Sequence, residues 1–207
     1  HTQTKMSVDE QKEKLSIAQE AEVRKRCLAD CIHNLNKFLN SRTWEIFAHK
    51  FRQLNIKLPP DLVSCKVCED PYSGHYFERE KKIVICANHV TDDQFDYTVT
   101  HELVHVYDDA RAEVDFDDPE HIACSEIRAT NLSGECREAK FYEFWRRNNK
   151  YIDCVRSRAY NSMTYNKKDL SKETAEKAIA NAWEVCYFDY EPFSFEELKK
   201  KLSGRKF

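Results

Sequence analysis

Apolar residues recur at helical intervals along most of the chain, and this pattern predicts a mostly helical protein. The first predicted helix covers residues 7–39, with a mostly charged first half and apolar positions mainly in the second. Later helices have start signals: Thr91 followed by Gln94, Asp118 before Pro119, and Ser171. The further helices are expected at about 43–54, from Thr91 to beyond Tyr107, from Pro119 to the turn at Gly134, at 138–161, at 172–188 and, as a short tail, at 195–202.

Residues 63–89 depart from the helical pattern and indicate strands and turns. Residues 82–86 are a β-branched run of strand length, and residues 73–78 alternate weakly. We therefore expect an α+β fold in which a small antiparallel sheet precedes the helix that begins near Thr91. The strand at 82–86 could offer its edge to an extended peptide, or it could simply cover the helix.

The helix that follows the predicted sheet contains H-E-x-x-H at residues 101–105. His101 and His105 lie four residues apart, so both imidazoles can reach one Zn²⁺ from the same helix face. Glu102 flanks the pair and could take a proton from a zinc-bound water, whose pKa the metal lowers to about 7. This arrangement is typical of metal-dependent peptidases.

A catalytic zinc site needs a third protein ligand, and Glu126 is our choice. It follows His105 by 21 residues and lies in the helix predicted after Pro119, from which a carboxylate could reach the metal. His121 and Asp108 are the rival ligands. Asp108 and Asp109 are expected instead to orient a ligating imidazole.

The length and composition favour a single domain with one hydrophobic core. The chain has 207 residues with three Gly and five Pro, and its charged residues nearly cancel to a net charge of −3. That balance gives no general attraction to nucleic acid, and no apolar run approaches the roughly 18 residues needed to span a bilayer. We expect an N-terminal helical segment at 1–60, a core at 61–193 and a tail at 194–207.

Nine cysteines favour disulfide bonds and an oxidising compartment, with at least one cysteine unpaired because the number is odd. Cys27 and Cys31 share a helix face, so each could reach a partner elsewhere rather than the other. Paired spacing also permits a structural zinc site, formed by Cys65, Cys68, Cys86 and His89.

Four segments carry a family resemblance: T-H-E-L-V-H at 100–105, H-x-A-C-S-E-I-R-A-x-N-L-S-G-E-C at 121–136, C-V-R-x-R-A at 154–159 and C-x-x-D-x-E-P-F at 186–193. Together they resemble the mitochondrial intermembrane-space metallopeptidases that mature an ATP synthase subunit. The similarity runs from about Cys65 to Phe193. A vertebrate member of that family is also catalogued as a Ku-binding protein.

The resemblance implies a zincin-like zinc endopeptidase with His101, His105 and Glu126 as metal ligands and Glu102 as the catalytic base. It also implies a disulfide-bonded protein of the intermembrane space, held peripherally on the inner membrane. Its protein substrate would be the precursor of a mitochondrially encoded proton-channel subunit, and it would assist assembly of the membrane sector. We expect no nucleic-acid partner.

Two points stay open at this level. Arg128, Tyr160 and His121 are candidates for a second group that stabilises the oxyanion formed during hydrolysis. The main alternative function is a non-catalytic assembly factor, or a stable subunit of a larger mitochondrial complex, that retains the peptidase fold.

Overall fold

The computed structural model describes residues 8–137 and 150–203, which form an α+β fold. The helices are α1 (Val8–Phe38), α2 (Arg42–Gln53), α3 (Asp92–Arg111), α4 (Pro119–Ser133), α5 (Lys150–Asn166), α6 (Lys172–Cys186) and α7 (Phe195–Leu202). The strands are β1 (Val63–Lys66), β2 (Gly74–Phe77) and β3 (Lys82–Cys86). The predicted helices at 7–39, 43–54, 172–188 and 195–202 are confirmed with small shifts at their ends. Of the helix predicted at 138–161, the part before residue 150 lies outside the described residues.

The sheet is mixed rather than antiparallel, so that part of the prediction was wrong. Its strand order is β1-β3-β2, with β1 parallel and β2 antiparallel to β3. The strand at 82–86 is therefore central, and it cannot offer an edge to a peptide. Ile83 and Ile85 are fully buried, which is typical of a strand flanked on both sides. In the described part of the chain, β2 forms the edge of the sheet beside α3.

Helix α3 lies at the centre of the fold. Thr91 and Gln94 form the predicted capping box at its start. The helix contacts α1, α2, α4 and the strands β2 and β3, and its residues Val99 and Leu103 are fully buried. Because so many elements cover α3, the 101–105 string lies in the interior rather than on an exposed helix face.

Helix α4 packs against α3, α5 and α6. The Asp118 side chain accepts a hydrogen bond from the backbone N–H of Glu120, and Pro119 occupies the first turn, as predicted. Gly134 follows the last turn with φ of 91°, a left-handed conformation that favours glycine. Each end of α4 is thus fixed by its own sequence, which determines where Glu126 lies along the helix.

Eight of the nine cysteines form four disulfides, and Cys27 is free. The pairs are Cys31–Cys65, Cys68–Cys86, Cys124–Cys186 and Cys136–Cys154. The structural zinc site considered for Cys65, Cys68, Cys86 and His89 is therefore wrong, because its cysteines belong to two different disulfides. Each disulfide joins segments that are at least 18 residues apart in sequence, so most of the cysteines serve to cross-link the fold. None of the described helices combines the length and apolar character needed to cross a membrane.

Helix α7 rests against α3 through Lys201, whose Nζ lies 3.5 Å from Oγ1 of Thr100. Burial lowers the pKa of Lys201 from 10.5 to about 8. Between these values the unfolded chain binds more protons than the folded chain, so this lysine makes stability rise with pH.

We expect Lys201→Met to raise the melting temperature at pH 7, because it removes the cost of burying a charged amine. The gain should shrink as the pH rises from about 8 to 10.5 and be small at about pH 11, where the wild-type amine is mostly neutral in both states. Thermal unfolding at both pH values measures this, with the exposed Lys199→Met as control. A gain that is equal in the two variants, or independent of pH, would contradict the expectation.

Candidate metal centre

The structure brings together the three side chains that the sequence suggested as metal ligands. His101 and His105 lie one turn apart on α3, with ring centroids 4.9 Å apart. Glu126 reaches them from α4. One ligand atom from each of the three residues lies within 4.8 Å of the other two, so the group could hold a metal ion.

The separations between the ligand atoms fit a divalent cation. Glu126 Oε2 lies 3.3 Å from His101 Nε2, and Glu126 Oε1 lies 3.8 Å from His105 Nε2. Oε1 also accepts a hydrogen bond from Asn166, whereas Oε2 is buried and accepts none from the described residues. A buried carboxylate oxygen without a donor is costly, and a metal between it and the two imidazoles would satisfy it.

The remaining ring nitrogens are held by residues that the sequence did not single out. His101 Nδ1 lies 3.0 Å from Glu135 Oε1, and His105 Nδ1 lies 2.7 Å from Ser125 Oγ. Such contacts fix the ring orientation and leave Nε2 free for a metal. The only sequence signal was that both residues belong to the specific A-C-S-E-I-R-A and L-S-G-E-C strings.

Asp108 and Asp109 do not orient an imidazole, contrary to expectation. Asp108 is buried and pairs with Arg128 and Arg111. Asp109 contacts the hydroxyl of Tyr76 and Nζ of Lys81. A buried carboxylate is retained where it has a cation, and the nearest cations to Asp108 and Asp109 are these arginine and lysine side chains.

Burial and the neighbouring carboxylates set the protonation of the two histidines. Burial lowers the pKa of His105 to about 4, so its imidazole is neutral and can donate a lone pair. Burial also lowers the pKa of His101, but the carboxylates of Glu126 and Glu135 outweigh it and raise that pKa well above 6.5. For Glu126, burial raises the pKa, and the adjacent His105 and His101 outweigh this and lower it. The site therefore concentrates negative charge at Glu126, where a cation would bind.

Glu102 lies beside this group and is buried. Burial raises the pKa of its carboxyl to about 7, although His101 and the backbone N–H of Tyr76 on β2 counteract that rise. Strand β2 approaches closely because residue 74 is glycine. A Cβ there would lie 2.8 Å from Cγ2 of Thr98 and 3.2 Å from Cγ of Glu102. The strand thus fixes a carboxyl whose pKa suits it to both accept and release a proton near neutral pH.

His101, Glu102, His105 and Glu126 line a cavity of about 550 Å³ between β2 and α5. Its walls include Tyr72 and His75 on one side and Arg158, Tyr165 and Lys167 on the other. A cavity of this volume is within the usual range for ligand sites, and Glu102 forms part of its wall.

The three suggested oxyanion donors do not line this cavity. Arg128 is buried in its ion-pair network, and Tyr160 lines a separate groove beside Trp183. His121, which was also a rival third ligand, accepts a hydrogen bond from the backbone N–H of Asp115. His121 and Asp108 are not part of the His101, His105 and Glu126 group.

Comparison with known proteins identifies the family. Residues 29–194 match the Peptidase M76 family. A Debaryomyces hansenii protein named mitochondrial inner membrane protease ATP23 is 36% identical over 174 residues, which cover 82% of this chain and 73% of that relative. The Schizosaccharomyces pombe protein of that name is 37% identical over 145 residues, which cover 68% of this chain and 78% of that relative. A Xenopus laevis protein named as its homolog is 40% identical over 135 residues, covering 63% and 57%.

The chain thus spans between 57% and 78% of the length of these relatives. No solved structure gave a significant match. Because the family match covers most of the chain, including α3, α4 and the whole candidate metal centre, this protein belongs to the Peptidase M76 family, whose relatives are named mitochondrial inner membrane proteases.

Proposed function

We propose that this protein is a zinc-dependent endopeptidase with a zincin-like catalytic core. The observation that carries the proposal is the convergence of His101, His105 and Glu126 on one point, with Glu102 beside them in a cavity. We place the core at residues 61–193, with 1–60 as an N-terminal helical segment packed on it and 194–207 as a tail. The contacts of α1 with α3 and β1 support the packing of the N-terminal segment on this core.

Zinc is the metal that the ligand set fits best. Two ligands at about 2.0–2.1 Å from a tetrahedral zinc ion lie about 3.3 Å apart. The nitrogen-to-oxygen separations of 3.3 and 3.8 Å in this site are close to that value. When bound, zinc would polarise the peptide carbonyl and acidify a water molecule.

Glu102 would act as general base and then as general acid. Its carboxylate takes a proton from the attacking water and passes it to the nitrogen of the leaving amine. A pKa of about 7 balances these two tasks at neutral pH. The backbone N–H of Tyr76 holds the carboxylate toward the cavity between transfers. The outer edge of β2, which does not pair with β3, could pair with the extended backbone of the peptide and lay it across the site.

The family resemblance and the names of the relatives support a more specific role. We propose that the protein acts in the mitochondrial intermembrane space, peripherally on the inner membrane. Its substrate would be the precursor of a mitochondrially encoded proton-channel subunit of ATP synthase, from which it removes the N-terminal extension. It would also assist assembly of the membrane sector. Incubating this precursor with the zinc-loaded protein should yield the mature N-terminus by mass spectrometry, and an uncut precursor would refute this substrate.

Glu126→Ala should abolish metal binding, because two imidazoles alone leave the cation without its only anionic ligand. His121→Ala is the matched control, because His121 lies on the same helix but away from the ligand group. Within the described residues, its side chain accepts a hydrogen bond from the backbone N–H of Asp115. Elemental analysis after dialysis should give about one zinc per chain for the wild type and the control, and close to none for Glu126→Ala. Full zinc occupancy in Glu126→Ala would refute this ligand set.

A further inference from the structure

We propose that Glu135 is a positioning residue for His101 and that the Cys136–Cys154 disulfide holds it there. The inference rests on the proposed metal centre and adds a specific coupling between one disulfide and metal affinity. Glu135 does not line the cavity, and it is not one of the three candidate metal ligands.

The carboxylate of Glu135 contacts His101 and Arg158, and Oε1 also accepts a hydrogen bond of 3.4 Å from Ser133 Oγ. Oε1 lies 3.0 Å from Nδ1 of His101, and Oε2 lies 3.8 Å from Nε of Arg158 on α5. The side chain of Glu135 is 11% exposed, so water competes little for these contacts. A carboxylate held at Nδ1 fixes the rotation of the imidazole and raises its basicity, so Nε2 points at Glu126 and binds a cation more tightly.

The backbone at Glu135 is fixed from both sides. Gly134 before it takes the left-handed conformation that ends α4. Cys136 after it is buried and bonded to Cys154 in the second turn of α5. Arg158 follows Cys154 by four residues and lies on the same face of α5. The disulfide therefore attaches the turn that carries Glu135 to the helix that carries its second partner.

The Cys68–Cys86 disulfide provides a contrast. Cys68–Cys86 joins the loop before β2 to the end of β3, and neither cysteine is adjacent to a metal ligand or to the partner of one. Its two cysteines are 18 residues apart, the same separation as in Cys136–Cys154. Equal loops imply a similar loss of chain entropy in the unfolded state, so removal of either disulfide should destabilise the fold to a similar degree.

The first test changes Glu135 itself and uses the affinity of the purified protein for Zn²⁺, measured by competition with a chromophoric chelator. Glu135→Ala should weaken zinc binding about 10- to 100-fold, the usual cost of removing such a partner. Glu135→Gln keeps an oxygen that can accept from Nδ1 and should recover much of the affinity. The visible absorption of the Co²⁺-loaded protein should shift in Glu135→Ala, because the His101 ring is then free to rotate.

The second test removes one disulfide at a time. Cys136→Ala/Cys154→Ala should weaken Zn²⁺ binding at least tenfold, while Cys68→Ala/Cys86→Ala should leave it within about twofold, although both pairs lower the melting temperature. Equal losses of affinity in the two pairs, or none in either, would overturn the inference. Wild-type affinity in Glu135→Ala would overturn it while leaving the zinc site intact. A wild-type protein that binds no zinc would refute the proposed function as well.

Discussion

Glu102→Gln is expected to retain bound zinc and to slow peptide hydrolysis by about 10²- to 10⁴-fold, the contribution of a positioned general base. The amide has nearly the same shape as the carboxyl and can still contact the Tyr76 backbone, so the cavity should be preserved. It cannot accept the proton of the attacking water. The rate of precursor cleavage and the zinc content of the same preparation measure the two halves of the expectation.

Asp93→Asn is the matched control, because it makes the same acid-to-amide change on an exposed position of α3. It should cleave at the wild-type rate. A Glu102→Gln protein that cleaves within tenfold of the wild type would show that another group accepts the proton. If Glu102→Gln instead fails to cleave but still supports assembly of the membrane sector, the assembly role is independent of hydrolysis, as the non-catalytic alternative requires.

The parts of the fold that depend on local sequence were predictable. The capping box at Thr91, the start at Asp118 and Pro119, and the left-handed Gly134 are each determined by a few adjacent residues, and each occurs where expected. These signals place Glu126 on the buried helix that packs on α3. Glu126 was a reasonable third ligand because it lies in this helix, from which a carboxylate could reach the metal, and the structure places it beside the two histidines.

Contacts through space were not predictable in the same way. The partners of the imidazoles, Glu135 and Ser125, lie 34 and 20 residues from the histidines they contact, and no spacing rule connects them. Disulfide pairing has the same limitation, since nine cysteines permit many pairings. The parallel pairing of β1 with β3 likewise depends on how the intervening chain folds back, which the alternation within each strand does not encode.

The assignment of Asp108 failed for a related reason. Its position three residues after His105 suggested an imidazole partner, but a helix offers several faces to different neighbours. The Arg128 guanidinium, which is fully buried on α4, lies against the Asp108 face. Arg128 Nε donates to both carboxylate oxygens at 3.0 Å, and its Nη1 donates to the backbone carbonyl of Asp189 at 2.6 Å. This network connects α3 and α4 to the segment after α6, and it explains the D-x-E-P-F string as structural rather than catalytic.

Arg128→Met should therefore destabilise the protein by about 3 to 5 kcal/mol, the cost of breaking a buried ion pair, because Asp108 would keep only the partly exposed Arg111 as a cation. Burial raises the pKa of Asp108, and Arg128 counteracts that rise, so the carboxylate depends on this cation. The carbonyls of Asp189 and Glu191 would lose their donors as well. Methionine keeps most of the side-chain volume, so the loss should come mainly from charge and hydrogen bonds.

Arg111→Met is the control, because Arg111 pairs with the same carboxylates of Asp108 and Asp189 from a position that is 23% exposed. A partly solvated pair contributes about 0 to 1 kcal/mol, since water can replace the lost partner. Urea unfolding under non-reducing conditions, at matched zinc content, measures both variants with all four disulfides intact. Similar losses of stability in the two variants would mean that each arginine contributes through its ion pairs alone, whether or not it is buried. A much larger loss in Arg128→Met would instead show that burial makes this arginine the central connection between the helices of the metal centre and the segment after α6.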